Sequence, residues 1–326
     1  MPAADDPSAR LTKTVAQVVA QVVGGDLAAA AALMRALDDD LPGAREALGA
    51  IYPHGGRAFV VGVTGSPGVG KSTLVDALLS ATRARGERAA VVAVDPSSPF
   101  SGGALLGDRV RMQRHALDDG VFIRSLATRG RLGGLSRSTT AAIAVLDAAG
   151  FPIVFVETVG AGQAELDIAD AADLVVVVTA PGLGDEIQAL KLGLVEIADV
   201  LVVNKSDRDG ADRTIAELTA MLALGARAVP PIVRAAAATG AGVADVVQAI
   251  ERARAAGEGD RASRRRRQAA RQVLSITGES ARDAALAALG TPDAPGPLAS
   301  LLDEVVARRL DPWAAAEALA RMGRRE

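Results

Sequence analysis

Cysteine is absent, and several chemistries go with it. Disulfides, thiolate metal sites and thiol nucleophiles are all excluded. Histidine is nearly as scarce: only His54 and His115 occur, too few for a His-rich zinc or nickel centre. Metal chemistry must therefore use oxygen ligands, which suits Mg²⁺. Aromatic residues make up 2% of the 326 residues, against 49% hydrophobic residues overall, so the core is built from Ala, Val, Leu and Ile. Strongly apolar runs such as Leu174 to Val178 fall far short of the ~20 residues of a membrane-spanning helix. The start, Met1-Pro2-Ala3-Ala4-Asp5-Asp6, is acidic and lacks the basic region and apolar core of a signal peptide. The expectation is a soluble cytoplasmic protein with no membrane contact. A net charge of −3 gives no global reason to expect nucleic-acid binding.

What is present falls into three regions. Residues 1–56 read as a helical extension. Leu11, Val15, Val18 and Val22 recur at helical spacing, Leu27, Leu33 and Leu37 continue the pattern, and Leu41-Pro42-Gly43 breaks it. Residues 57–256 alternate strands and helices. The strand candidates are Ala58 to Val63, Ala89 to Val94, Val121 to Ser125, Ile153 to Val156, Leu174 to Val178, Val200 to Val203 and Pro231 to Val233. Most are short continuous apolar runs, as buried parallel strands are. This predicts an α/β fold with a mostly parallel sheet flanked by helices. Ligands of such sheets bind at the carboxyl ends of the strands. Residues 257–326 begin with a polar boundary and then read as helical, with Pro292 to Pro297 between two helices. Four consecutive arginines, Arg264 to Arg267, point in all directions on a helix, the pattern of a solvated segment. Trp313 reads as a packing anchor of a tail helix, and His54 and His115 read as structural.

The strongest chemical signal is Gly65-Ser66-Pro67-Gly68-Val69-Gly70-Lys71-Ser72, a complete G-x-x-x-x-G-K-[ST] phosphate-binding loop followed by Thr73. It lies between an apolar strand candidate and a helix-compatible run. Glycines let successive N–H groups turn inward onto phosphate oxygens. Lys71 is expected to reach the β/γ-phosphates, and the Ser72 hydroxyl to ligate Mg²⁺. The fold expected is thus a P-loop NTPase.

A second signal, Asn204-Lys205-Ser206-Asp207, follows the strand Val200 to Val203. The Asp207 carboxylate can accept both N1–H and the exocyclic amine of guanine, a donor pair adenine lacks, so GTP and GDP are the expected nucleotides. The Lys205 stem can lie over the base and Asn204 can tie the loop to the phosphate side. Ala237 and Ala238, after another strand, are candidates for a further base-contacting loop.

A third signal, Glu157-Thr158-Val159-Gly160, stands where many GTPases have D-x-x-G, with Glu157 one methylene longer than Asp. Asp95 ends another strand, and Asp108 lies in the loop or helix start that follows. Ser72, Asp95, Asp108 and Glu157 together offer oxygen ligands for an octahedral Mg²⁺ partly filled by phosphate and water. Arg109 is a candidate for stabilising developing phosphate charge, and Lys191 for contacting a loop. Gln163 can orient water, though its offset from Gly160 is not that of a typical catalytic glutamine.

These motifs, with the long segment VVAVDPSSPFSGGALLGDRVRM and the run APGLGDEIQALKLGLVEIADVLVVNKSD, resemble the MeaB-type GTPases. Those are the methylmalonyl-CoA mutase-associated chaperones, related to MMAA and historically described as ArgK-type transport ATPases. The resemblance is dense over residues 50–256 and loose in the flanking helices. It implies a homodimeric GTPase of low intrinsic turnover. Such a protein binds an adenosylcobalamin-dependent acyl-CoA mutase, gates cofactor loading, and protects or reactivates the mutase. It maps the family's Mg²⁺ ligands and switch residues onto Ser72, Asp95, Asp108 and Glu157, with Lys191 in a switch-like segment, and gives the C-terminal helices to dimerisation. Three other readings are a metallochaperone-type GTPase for another metalloenzyme, against which the missing thiols count, a transport-associated ATPase, against which Asp207 counts, and an RNA-associated GTPase acting through Arg264 to Arg267, against which the net charge of −3 counts.

Overall fold

Seven short apolar segments lie side by side, all parallel, in the order β3-β2-β4-β1-β5-β6-β7. The computed structural model describes residues 14–95, 112–115, 117–127, 137–158, 164–182, 193–223, 229–257, 259, 261–289 and 296–322. In chain order the strands are β1 (Phe59–Thr64), β2 (Ala89–Asp95), β3 (Val121–Ala127), β4 (Ile153–Thr158), β5 (Leu174–Thr179), β6 (Val200–Val203) and β7 (Ile232–Arg234). The helices are α1 (Val15–Val23), α2 (Leu27–Asp38), α3 (Ala44–Ile51), α4 (Lys71–Ala84), α5 (Arg137–Ala148), α6 (Ala164–Asp167), α7 (Leu194–Ile197), α8 (Ala211–Ala223), α9 (Val243–Gly257), α10 (Arg261–Leu289), α11 (Pro297–Val306) and α12 (Pro312–Met322).

Strands β1, β4, β5 and β6 are buried at every position, as parallel strands covered on both faces are. Alternation divides their side chains between two cores. Phe59, Val61 and Val63 pack with Leu74, Val75 and Leu78 of α4 and with Val246 and Ile250 of α9. Val60, Val154, Val156, Val175 and Val177 pack on the other face with Val145 and Leu146 of α5, Ile168, and Val22, Leu33, Met34 and Ile51 of α1 to α3. The first three helices thus share one core with the sheet. A partly buried ion pair, Arg124 to Asp38 at 2.5 Å, also ties α2 to β3.

Strand ends move by a residue or two from the sequence expectation, and β1 shows why. Ala58 stands outside the ladder because the Asp147 carboxylate accepts the N–H groups of Gly56, Arg57 and Ala58. At the other end, β1 runs on to Thr64, immediately before the glycine-rich loop. Gly62 brings one helical turn onto the strand: a Cβ there would lie 2.6 Å from Ile168 Cγ1 and 3.0 Å from Ala172 Cβ.

The chain divides into two compact units, Met1–Arg265 and Arg266–Glu326. Two of the four arginines near the start of α10, Arg264 and Arg265, are half-buried and paired rather than fully solvated. Arg264 donates to the Asp173 carbonyl and to both Asp199 carboxylate oxygens, and Arg265 donates to the carbonyls of Gly56 and Ala58 and to Asp173 Oδ1. Those partners sit at the amino ends of β1, β5 and β6, a tertiary match that charge spacing alone does not reveal. Arg266 and Arg267 are exposed. In the second unit Arg309 pairs with both oxygens of Glu304 at 2.8 Å. Trp313 is 83% exposed, so it is no packing anchor. Among the described residues, no helix is long and apolar enough to cross a membrane.

Two outcomes are expected. Gly62→Ala should overpack the Ile168 contact and lose about 1–3 kcal/mol in urea unfolding. The second concerns Asp118, whose carboxyl is held below its ordinary value of 3.8 by the Arg83 guanidinium and then by the Gly120 N–H. A lowered folded-state value stabilises fully above the unfolded-state value and is lost as pH falls through the lowered one. Asp118→Asn should therefore reduce the urea midpoint at neutral pH, with the difference closing as pH is taken below 3.8.

Candidate functional site

The carboxyl ends of β1, β4, β5, β6 and β7 converge on the loop 65–70. Three of its glycines have positive φ: Gly65 (138°), Gly68 (76°) and Gly70 (92°). Two of these leave no room for a side chain. A Cβ on Gly65 would fall onto the Val178 carbonyl oxygen, and one on Gly70 would lie 2.5 Å from Asn204 Nδ2. Gly70 is also the left-handed N-cap of α4. The helix start therefore faces the loop with its unpaired N–H groups, the arrangement that attracts anions.

Lys71 is buried, and its Nζ donates to the carbonyls of Gly65 (2.5 Å) and Ser66 (2.9 Å). Ser72 is also buried, and its Oγ donates to Glu157 Oε1 at 2.6 Å. Glu157 reaches it because the register pairs Val63 with Glu157, and alternation turns the carboxylate to the α4 face. Val69 is buried, Pro67 and Gly68 are exposed, and Thr73 is half-buried.

Asn204, 2% exposed, follows β6. Its Nδ2 donates to the Val69 carbonyl at 2.9 Å, while its Oδ1 accepts from the Ala237 N–H at 3.0 Å. One amide thus joins the phosphate-type loop, its own loop and the loop after β7. Lys205 adopts φ 54°, and its Nζ donates to the Gly68 carbonyl at 2.6 Å. Asp207 and Ala238 are exposed, on the two loops that Asn204 links.

The structure therefore brings together Gly65 to Thr73, Glu157, Asn204, Lys205 and Ala237. Of Asp95 only the backbone is described; it ends β2 opposite Ala127 of β3. Asp108, Arg109, Gln163 and Lys191 lie outside the described residues. Among the described residues no three His, Asp or Glu side chains cluster at metal-ligand spacing. Ser72 and Glu157, both hard oxygen donors in direct contact, fit a small divalent cation.

Sequence reasoning missed a second cluster on α4. Asp76 accepts from Arg114 Nε at 2.9 Å and lies 3.1 Å from His115 Nε2, which is also 3.3 Å from Ser80 Oγ. It also passed over Thr64 and Thr158, whose hydroxyls bond each other behind the loop at 2.9 Å. A polar residue closing an apolar run was the one available signal.

The family profile described as "Methylmalonyl Co-A mutase-associated GTPase MeaB" matches residues 27–289. A putative GTPase of Pyrococcus horikoshii is 52% identical over 241 residues, 72% of this chain and 76% of that one. The mouse "Methylmalonic aciduria type A homolog, mitochondrial" is 41% identical over 195 residues, 58% of this chain and 47% of its own. Among solved structures, one described as an LAO/AO transport system kinase superposes with a TM-score of 0.70 at 25% identity, covering 95% of this chain and 97% of the other. With a phosphate-type loop in a parallel sheet, a family match over most of its length and a relative of this identity, the chain belongs to the MeaB family of P-loop GTPases.

Proposed function

We propose that the protein is a Mg²⁺-dependent GTPase that acts as a chaperone for an adenosylcobalamin-dependent acyl-CoA mutase. The observation that carries the nucleotide reading is the Asn204 amide, which holds the Asp207 loop and the Ala237 loop to the phosphate-type loop. In this reading the guanine lies against Lys205, Asp207, Ala237 and Ala238. The phosphates lie in the N–H groups of residues 65–73. Lys71 exchanges the carbonyls of Gly65 and Ser66 for the β/γ-phosphate oxygens. Ser72, Asp95, Asp108 and Glu157 would hold Mg²⁺, which when bound neutralises charge on the transferred phosphoryl group.

The reaction is attack of water on the γ-phosphate, and the protein contributes positioning and charge stabilisation rather than a covalent intermediate. Arg109 and Lys191 are the proposed further cationic contributors. The mutase reading rests on the family description and on the name of the mouse relative. In it, nucleotide state changes the grip on a mutase, gating cofactor loading and protecting or reactivating the enzyme in the cytoplasm. A homodimer formed through residues 257–326 is supported by the exposed Val273, Leu274, Val306 and Trp313.

Fluorescent guanine nucleotide should bind far more tightly than its adenine counterpart, and Asp207→Asn should move the preference to xanthosine nucleotides. Equal affinity for ATP and GTP would remove Asp207 from its role and favour the transport-associated ATPase. In a separate test, purified methylmalonyl-CoA mutase should co-elute with the protein in a non-hydrolysable GTP analogue. Elution apart from every cobalamin-dependent acyl-CoA mutase tried would leave a GTPase with a different client.

A further inference from the structure

Three threonines close three adjacent strands: Thr158 ends β4, Thr64 ends β1 and Thr179 ends β5. Side chains alternate along a strand. Val63 and Val178 lie on the α4 face, and Glu157 meets Ser72 of α4. The threonines that follow these residues therefore turn to the other face, that of Val60, Val156, Val177 and Ile168. They are 0%, 1% and 1% exposed for Thr64, Thr158 and Thr179. At such depth a hydroxyl needs a partner. Thr158 Oγ1 donates to Thr64 Oγ1 at 2.9 Å, and Thr64 Oγ1 donates onward to the Glu165 carbonyl at a longer 3.4 Å. Each hydroxyl proton is used once, so the relay has a direction. Thr179 Oγ1 has no hydrogen-bond partner among the described residues.

The relay sits where the β1–β4 register ends, since the last paired residues are Val63 and Glu157. It extends the pairing by one residue through side chains. Gly62 makes the reach possible, because its missing Cβ lets Ile168 and Ala172 approach β1 and brings Glu165 of α6 within range of Thr64. On one side, Thr158 is the covalent neighbour of Glu157, which accepts from Ser72. On the other, Thr64 is the neighbour of Gly65, whose carbonyl accepts from Lys71. A link behind the sheet thus joins the backbone of the carboxylate to the backbone that begins the phosphate-type loop.

We propose that Thr64 and Thr158 are positioning residues for GTP hydrolysis, their paired hydroxyls holding Glu157 at a fixed offset from the loop that carries Lys71 and Ser72. The role rests on the nucleotide-site reading above. It acts through Glu157, so it bears on the triphosphate and its hydrolysis and not on guanine recognition, which belongs to the β6 and β7 loops.

The test uses the full chain and the variants Thr64→Val, Thr158→Val, their double variant, Thr64→Ser and Thr179→Val. Three quantities are read: kcat for GTP hydrolysis, the ratio of affinities for a non-hydrolysable GTP analogue and for GDP, and the thermal midpoint. Thr64→Val and Thr158→Val should each lower kcat roughly tenfold and weaken the analogue relative to GDP, with GDP affinity kept. The double variant should be no worse than either single one, since both remove the same link. Thr64→Ser should restore kcat. Thr179→Val, which removes a hydroxyl with no partner among the described residues, should leave kcat unchanged.

Loss of thermal stability with kcat and the affinity ratio unchanged would overturn the positioning role. So would an equal loss of kcat in Thr179→Val, which would mean general sensitivity of the strand ends. If Thr64→Val does not fold, Thr158→Val against Thr64→Ser decides the matter by the same two readouts. Absence of guanine-nucleotide binding in the unmodified chain would overturn the nucleotide-site reading itself, and the role with it, before any variant is made.

Discussion

A single buried amide holds the site together. Asn204 Nδ2 donates to the carbonyls of Val69 and Gly70, and its Oδ1 accepts the Ala237 N–H. Neither of the two buried bonds, to Val69 and from Ala237, can be supplied by water at that depth, and an unpaired buried amide costs about 1–3 kcal/mol. The amide therefore fixes three loops from three different strands against one another. Gly70 has to be glycine for the same reason, because the Asn204 nitrogen occupies the space of its Cβ. The phosphate-type loop and the loop bearing Asp207 are thus joined through the Asn204 side chain. Such preorganisation reduces the ordering cost of binding.

The two edges of the sheet are treated in opposite ways. At the amino edge carboxylates close the starts of β1 and β5. Asp147 takes three N–H groups, Asp173 takes that of Val60 and Asp199 that of Val175. Arg264 and Arg265 then neutralise Asp173 and Asp199. At the carboxyl edge the chain instead presents glycine N–H groups, a helix start, two lysines and the Glu157 carboxylate. Cationic and N–H groups directed at one small space favour an anion, and this asymmetry locates the site independently of any motif.

The parts of this arrangement that are local in the chain were legible in it. The spacing from Gly65 to Ser72 carries its own geometry, and Asn204 to Asp207 can be read from four residues after an apolar strand. The parts that depend on strand order were not. Thr64 and Thr158 are separated by 94 positions and meet only because β1 lies beside β4. Arg264 reads as one of four equivalent arginines, and only the fold shows that it and Arg265 meet the aspartates at the amino ends of β5 and β6. Ala58 carries strand-type chemistry, yet Asp147 withdraws its N–H from the ladder. Trp313 has the size and apolarity of a packing residue, and nothing in its sequence spacing marks it as exposed.

The lysines show what a phosphate must displace. Lys71 binds the carbonyls of Gly65 and Ser66, and Lys205 binds that of Gly68. In the proposed reading a triphosphate offers Lys71 anionic oxygens in place of neutral carbonyls, a stronger Coulombic partner for the same cation. Binding is then an exchange of partners with little rearrangement of Lys71, which is already buried beside the loop. Glu157 is in the opposite position. It already accepts from Ser72, and a phosphate alone would only repel it. In the proposed reading a divalent cation would resolve that conflict, because Ser72 and Glu157 both offer it oxygens. Triphosphate and cation would then be favoured together, and the role proposed for Thr64 and Thr158 is to hold the offset between the Lys71 loop and Glu157.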